Sequence, residues 1–133
     1  MLETGKTASI AHIVCEQDLA SAYGDSVGEC YPDVLSTPAM LGLMERACAQ
    51  IMRGELGEGQ LSVGVTTHLD HLAPTRLGVG VVAAATFREL DGSLFWFDVA
   101  ATDSGGRVGS GSHARAIVNR SAIEARAEKR LKA

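Results

Sequence analysis

The sequence predicts an α+β fold in which a curved antiparallel sheet wraps around one long central helix. Three observations lead there. Apolar residues recur at helical spacing between Ser36 and Arg53, the apolar period shortens to two from Leu61 onward, and 15 glycines mostly punctuate that second half as turns. At 133 residues the chain matches the size of one domain, and a chain of this size buries roughly two-thirds of its unfolded surface. One core is therefore supported, over about residues 8–120 of a single domain 1–133, with a charged tail behind it.

Lys6 to Cys15 reads as a first strand, with Ile13 and Cys15 alternating against His12 and Val14. Glu16 to Tyr23 reads as a short helix, its acidic start suited to the positive end of a helix dipole. Gly24 to Tyr31 is polar and glycine-containing, a loop. Ser36-Thr37-Pro38 opens the main helix. A hydroxyl caps free N–H groups there, and proline is tolerated in the first turn because its missing donor has no partner. Leu41, Met44, Cys48, Ile51 and Met52 give this helix one apolar face, and Gly54 and Gly57 end it. Its residues, each rising about 1.5 Å, make it roughly 24 Å long, enough to cross a small sheet.

From Leu61 the pattern is that of strands. Leu61, Val63, Val65, Thr67 and Leu69 fall on one face, with Ser62, Gly64, Thr66, His68 and Asp70 on the other. Pro74 to Gly78 is a turn, Val79 to Glu89 a second long strand, and Asp91-Gly92 a hairpin signal. Leu94 to Thr102 follows, then a turn at Ser104-Gly105-Gly106 and a last strand from Val108 to Asn119. The four strands are expected to run as a meander. Ser121 to Lys132 reads as a charged surface helix.

Composition excludes several classes of function. The net charge is −4 and no basic stripe carries interleaved aromatics, so a nucleic-acid partner is not expected. No apolar run reaches the roughly 18–20 residues of a membrane span, and Met1 to Lys6 lacks the pattern of a signal peptide. Cys15, Cys30 and Cys48 are odd in number and form no CxxC pair, which points to a reduced, cytoplasmic compartment.

A few residues stand out chemically. Glu45 lies roughly 40° from Leu41 and roughly 20° from Met52 around the helix, within the apolar arc, where a carboxylate must be paired or shifted in pKa. Its simpler reading is a flanking glutamate that snorkels to solvent or pairs with Arg46 or Arg53. Thr37 lies about 12 Å earlier on nearly the same face, as a helix cap, a catalytic hydroxyl or both. His68-x-Asp70-His71 brings ligand-type residues to a strand end, but His71 leaves the face of the other two in a regular strand. No metal and no cofactor are expected. Gly105 to Gly111 is glycine-rich yet lacks the Lys-Ser/Thr of a phosphate loop, and a strand follows it. Gly109, Gly111, His113 and Arg115 share one strand face, which reads either as an exposed polar face or as a phosphate-contacting wall.

These segments together resemble a known family. Tyr31-Pro32-Asp33-Val34-Leu35-Ser36-Thr37-Pro38 leads into Met40-Leu41-Gly42-Leu43-Met44-Glu45-Arg46-Ala47-Cys48. With Gly64 through His71 to Gly78, and Gly109-Ser110-Gly111-Ser112-His113-Ala114-Arg115-Ala116, this is similar to the fluoroacetyl-CoA thioesterase family over roughly residues 8–120. The resemblance implies the hotdog fold, a homodimer, and hydrolysis of a short-chain or small substituted acyl-CoA to the free acid and CoA. It implies that Thr37, Glu45 and His71 occupy the catalytic positions and that Gly64 and Arg115 contact acyl-CoA. The family's lid carries two phenylalanines where this chain has Gly28 and Tyr31, so Tyr31 becomes the lid's substrate contact and fluoroacetyl selectivity is not implied. The residue types suit the reaction, which needs an activated nucleophile and a stabilised oxyanion. The alternative is a non-catalytic acyl-CoA-binding or regulatory hotdog protein.

Overall fold

A computed structural model describes residues 2–131. The elements are β1 (Thr7–Ile13), α1 (Thr37–Met52), β2 (Gln60–His71), β3 (Gly80–Asp91), β4 (Leu94–Asp103), β5 (Gly106–Asn119) and α2 (Arg120–Lys129). The strands form one antiparallel sheet in the order β1-β3-β4-β5-β2, and α1 packs against β1, β2, β3 and β4. This is the hotdog arrangement. Among the described residues no helix is long and apolar enough to cross a membrane.

The buried side of α1 is Met40, Leu43, Met44, Ala47, Cys48, Ile51 and Met52. It lies on Val81, Ala83, Ala85, Phe87, Phe97, Val99 and Ala101 of the sheet. Alanines at the centre of that floor let the helix approach closely, and each large side chain buried there contributes about 1.5–3 kcal/mol. Leu41, expected in the core, is only half-buried, because the stripe centres on Met40, Met44 and Ala47. Glu45 follows Met44 by roughly 100°, which sets it on the rim of the stripe rather than within it.

Four expectations need correction. Residues 16–23 do not form one helix. Two 3₁₀ turns, Glu16–Asp18 and Ala20–Tyr23, are separated at Leu19, which is extended (φ −73°, ψ 146°). Leu19 is 7% exposed and bridges Leu35, so pairing with the chain ahead of α1 wins over a continued helix. The four later strands are not a simple meander, because β2 pairs with β5 and not with β3. Tight turns keep β3, β4 and β5 adjacent, with Gly92 at φ +61° in the first hairpin. The β2–β3 connection instead docks elsewhere, through Leu72 and Ala73 N–H to Val108 O and Leu35 N–H to Thr75 O.

The third correction concerns faces. The β2–β5 register shifts between Gly64 and Thr66, a bulge that inserts Val65. Alternation reverses there, so Ser62 and Gly64 share the helix-side face with Thr67, Leu69 and His71. Val65 is 54% exposed as a result. The fourth is smaller: α2 starts at Arg120 and buries nothing, and Lys132, where the sequence reading ended it, lies outside the described residues.

Candidate active site

Two adjacent hydroxyls precede Pro38, and they divide the work. Ser36 is the N-cap, its side-chain oxygen accepting from Ala39 N–H at 3.1 Å. Thr37 is thereby free of the capping role, and its Oγ1 lies 2.8 Å from His71 Nδ1. His71 ends β2 and reaches α1 because the bulge turned it inward. Burial pushes its pKa below the ordinary imidazole value, with the Ala73 carbonyl acting in the opposite sense. Its other nitrogen, Nε2, is the buried side-chain polar atom left without a partner among the described residues. Such an atom costs stability in a fold that uses it for nothing.

Glu45 heads a second cluster. Its Oε2 accepts from Arg115 Nη1 at 3.1 Å, and its side chain is 39% exposed. Arg115 is 7% exposed. Its Nε donates to Ser62 Oγ at 3.0 Å, its Nη2 to Ser62 O at 2.9 Å, and its Nη1 also to His113 Nε2 at 3.1 Å. A guanidinium only donates, so His113 Nε2 must accept; Nδ1 then carries the proton and donates to Thr67 Oγ1 at 2.7 Å. Burial foremost, then the Arg115 charge, lowers the His113 pKa, against the smaller pull of Glu45. A neutral His113 therefore locks Arg115, and Arg115 locks one carboxylate oxygen of Glu45.

Gly64 completes this cluster by its lack of a side chain. A Cβ there would stand 2.7 Å from Glu45 Oε2 and 3.0 Å from His113 Cε1. Gly109 leaves room in the same way for Met40, and Gly111 for the His68 backbone. These glycines admit protein neighbours, and the Arg115 guanidinium is hydrogen-bonded within the protein. Neither Arg46 nor Arg53 pairs with Glu45 among the described residues.

The structure thus brings Thr37 to His71, and Glu45 to Gly64 and Arg115, but it does not join the two groups. Thr37 and Glu45 are about 12 Å apart along α1, and Gly64 and His71 roughly 20 Å along β2. Tyr31 stands in neither group. It is 46% exposed, packs on Gly24 and donates to Glu29 Oε2 at 2.9 Å. Thr67 joins the Glu45 cluster without having been given a role from sequence, and His113, which the sequence placed on one face with Arg115, joins it as well. The signal was the inward-facing His113-x-Arg115 pair on β5. Cys48 is no competing nucleophile, since burial pushes its thiol up to about 12.

The family model described as fluoroacetyl-CoA-specific thioesterase, FlK, matches residues 14–121. The fluoroacetyl-CoA thioesterase of Streptantibioticus cattleyicolor is 36% identical over 89 residues, 67% of this chain. The chain spans 64% of that relative's length in the match. A structure of FlK superposes with TM-score 0.91 at 28% identity, covering 97% of both chains. A Thermus thermophilus thioesterase superfamily member superposes with TM-score 0.86 at 25% identity, covering 99% of this chain and 94% of that one. The chain belongs to the fluoroacetyl-CoA-specific thioesterase family.

Proposed function

We propose that the protein hydrolyses a small acyl-CoA thioester to the free acid and CoA, using Thr37, His71 and Glu45 as one site. The observation that carries this is His71 Nε2, buried, unpartnered and held from behind by Thr37. Single-residue mutants of FlK have been solved with acetyl-CoA and with fluoroacetate and CoA, which supports a two-carbon or similarly short acyl group.

In this reading the Thr37 hydroxyl donates to Nδ1, and Nε2–H donates to the thioester carbonyl oxygen. The negative charge that develops on that oxygen is stabilised there. Glu45, exposed enough to reach substrate and aimed by Arg115, attacks the carbonyl carbon or removes a proton from attacking water. Collapse of the tetrahedral species expels the CoA thiolate; where Glu45 is the nucleophile, water then hydrolyses the acyl-glutamyl anhydride, releasing the free acid and restoring Glu45. Arg115 acts as a positioning residue, and Gly64 leaves the space that the carboxylate occupies. Tyr31, on the resemblance to the family's lid, borders the acyl group.

The two halves meet through a second copy of the chain. β2 is an edge strand, and an edge invites pairing. An antiparallel β2–β2 contact centred between Thr67 and His68 sets His71 of one copy level with Gly64 of the other. That two-fold arrangement places the Thr37–His71 pair of one chain beside the Glu45 of its mate. Light scattering should give a homodimer at micromolar concentration; a monomer with full activity would remove the arrangement.

The test of function is release of free thiol from acetyl-, fluoroacetyl- and propionyl-CoA, followed with a thiol reagent. The exposed Cys30 contributes a fixed background. Turnover by the wild type and none by Glu45→Gln is expected. Tight binding of acyl-CoA without turnover would make the protein a binder.

A further inference from the structure

We infer that His12, Cys15 and Asp18 form a binding site for one zinc-like divalent ion that shares no residue with the Thr37–His71 and Glu45 groups. Their donor atoms all lie within 4.8 Å of one another, and each residue is partly buried. His12 Nε2 is 2.6 Å from Asp18 Oδ2, and Cys15 Sγ is 3.1 Å from the same oxygen. Tetrahedral zinc, with Zn–N and Zn–O near 2.0–2.1 Å and Zn–S near 2.3 Å, sets its donors about 3.3–3.6 Å apart. The His12–Asp18 and Cys15–Asp18 spacings need to open by less than about 1 Å to accept it, and the His12–Cys15 spacing, within 4.8 Å, to settle near about 3.5 Å. Imidazole, thiolate and carboxylate, with a fourth position open to water, is a zinc-type donor set.

The frame behind these donors is rigid. His12 is paired with Val81 in the sheet, and Val14, 1% exposed, exchanges backbone hydrogen bonds with Val79 and Gly78. Leu19 anchors the far side in the core. Cys15 N–H already donates to Asp18 Oδ2 at 2.8 Å, so the turn holds its shape before any ion arrives. Binding displaces the Cys15 thiol proton to solvent while the sulfur takes the metal. Asp18 O accepts from Ser36 N–H at 2.9 Å, so an ion here also braces the start of α1.

The test uses chelator-treated full-length protein titrated with Co²⁺ and then Zn²⁺. One equivalent per chain is expected, with a thiolate-to-cobalt charge-transfer band that Zn²⁺ bleaches and a melting temperature that Zn²⁺ raises. Cys15→Ser should abolish the band, and Asp18→Asn should weaken zinc by more than the roughly 10–100-fold that outer-shell changes cost. Cys30→Ser should leave both readouts unchanged, with circular dichroism of each metal-free variant matching wild type. Binding without a thiolate band, a band that survives Cys15→Ser, or no uptake at all would overturn the site and leave a hydrogen-bonded turn. None of these readouts depends on thioester hydrolysis, so the site and the proposed activity stand or fall separately.

Discussion

Replacing Arg115 by lysine separates two roles that the sequence alone left open. The guanidinium makes four contacts: Glu45 Oε2, His113 Nε2, Ser62 Oγ and Ser62 O. An ammonium at the same place keeps the charge but not the planar fork, and it reaches two of these at best. Two hydrogen bonds to a buried charge are lost at about 1.5 kcal/mol each, so the fold should weaken by about 3 kcal/mol. The Glu45 pairing would be discounted in this sum, since its side chain is 39% exposed. Glu45 then samples positions about 1 Å from its place, which costs on the order of 100-fold in rate. The expected signature is a kcat lower by 10–100-fold with KM within about 2-fold of wild type, because the interaction lost acts in the transition state. The assay is steady-state thiol release with acetyl-CoA and with an acetyl thioester of N-acetylcysteamine, which lacks the nucleotide. Equal losses on both substrates are predicted. A raised KM confined to the CoA substrate, with kcat kept, would refute the reasoning and return Arg115 to phosphate binding.

Further predictions follow from the same geometry. Thr37→Val should remove nearly all activity while changing stability by less than about 0.5 kcal/mol, whereas Ser36→Ala should cost about 1 kcal/mol of stability as a lost cap; thermal melts and thiol release measure both. Gly64→Ala places a Cβ 2.7 Å from Glu45 Oε2, so kcat should fall about 10-fold or more, with no further loss when added to Glu45→Gln. Met44→Ala, at a fully buried position, should destabilise by about 2–5 kcal/mol in denaturant titrations. Because burial lowers the pKa of both His71 and His113, the unfolded chain binds their protons first. Stability should therefore be complete above the ordinary histidine value of 6.5 and decline as pH falls below it. His113→Gln should shrink that decline in melts recorded across pH.

Local signals made much of the fold legible in the sequence. The spacing of Met44, Cys48, Ile51 and Met52 marked α1, and Asp91-Gly92 and Ser104-Gly105-Gly106 marked hairpins that the structure contains. The β2–β5 pairing was hidden because it joins residues far apart in sequence, Gly64 with Arg115 and His71 with Gly109. The bulge at Val65 was hidden too, since Val63, Val65 and Thr67 keep an unbroken alternation that the backbone does not follow. That one residue decides the candidate site. Without it Gly64 and His71 would face opposite sides of the sheet. Resemblance supplied the identities of Thr37, Glu45 and His71, but the partner of Glu45, 70 residues away at Arg115, followed only from three-dimensional packing. Ser36 and Thr37 were indistinguishable as caps until the Ala39 N–H showed which one it uses.

The central claim is that the Thr37–His71 pair and Glu45 work as one site across two chains. Mixing inactive Glu45→Gln with inactive His71→Ala, by unfolding and refolding them together, tests it most directly. Random pairing makes about half of the dimers mixed, each with one intact site of two, so about a quarter of the wild-type turnover per chain should return. Thr37→Ala mixed with His71→Ala should recover nothing, because each chain then carries a broken pair. A Glu45→Gln and His71→Ala mixture that forms dimers yet stays as inactive as its parents would contradict the shared site.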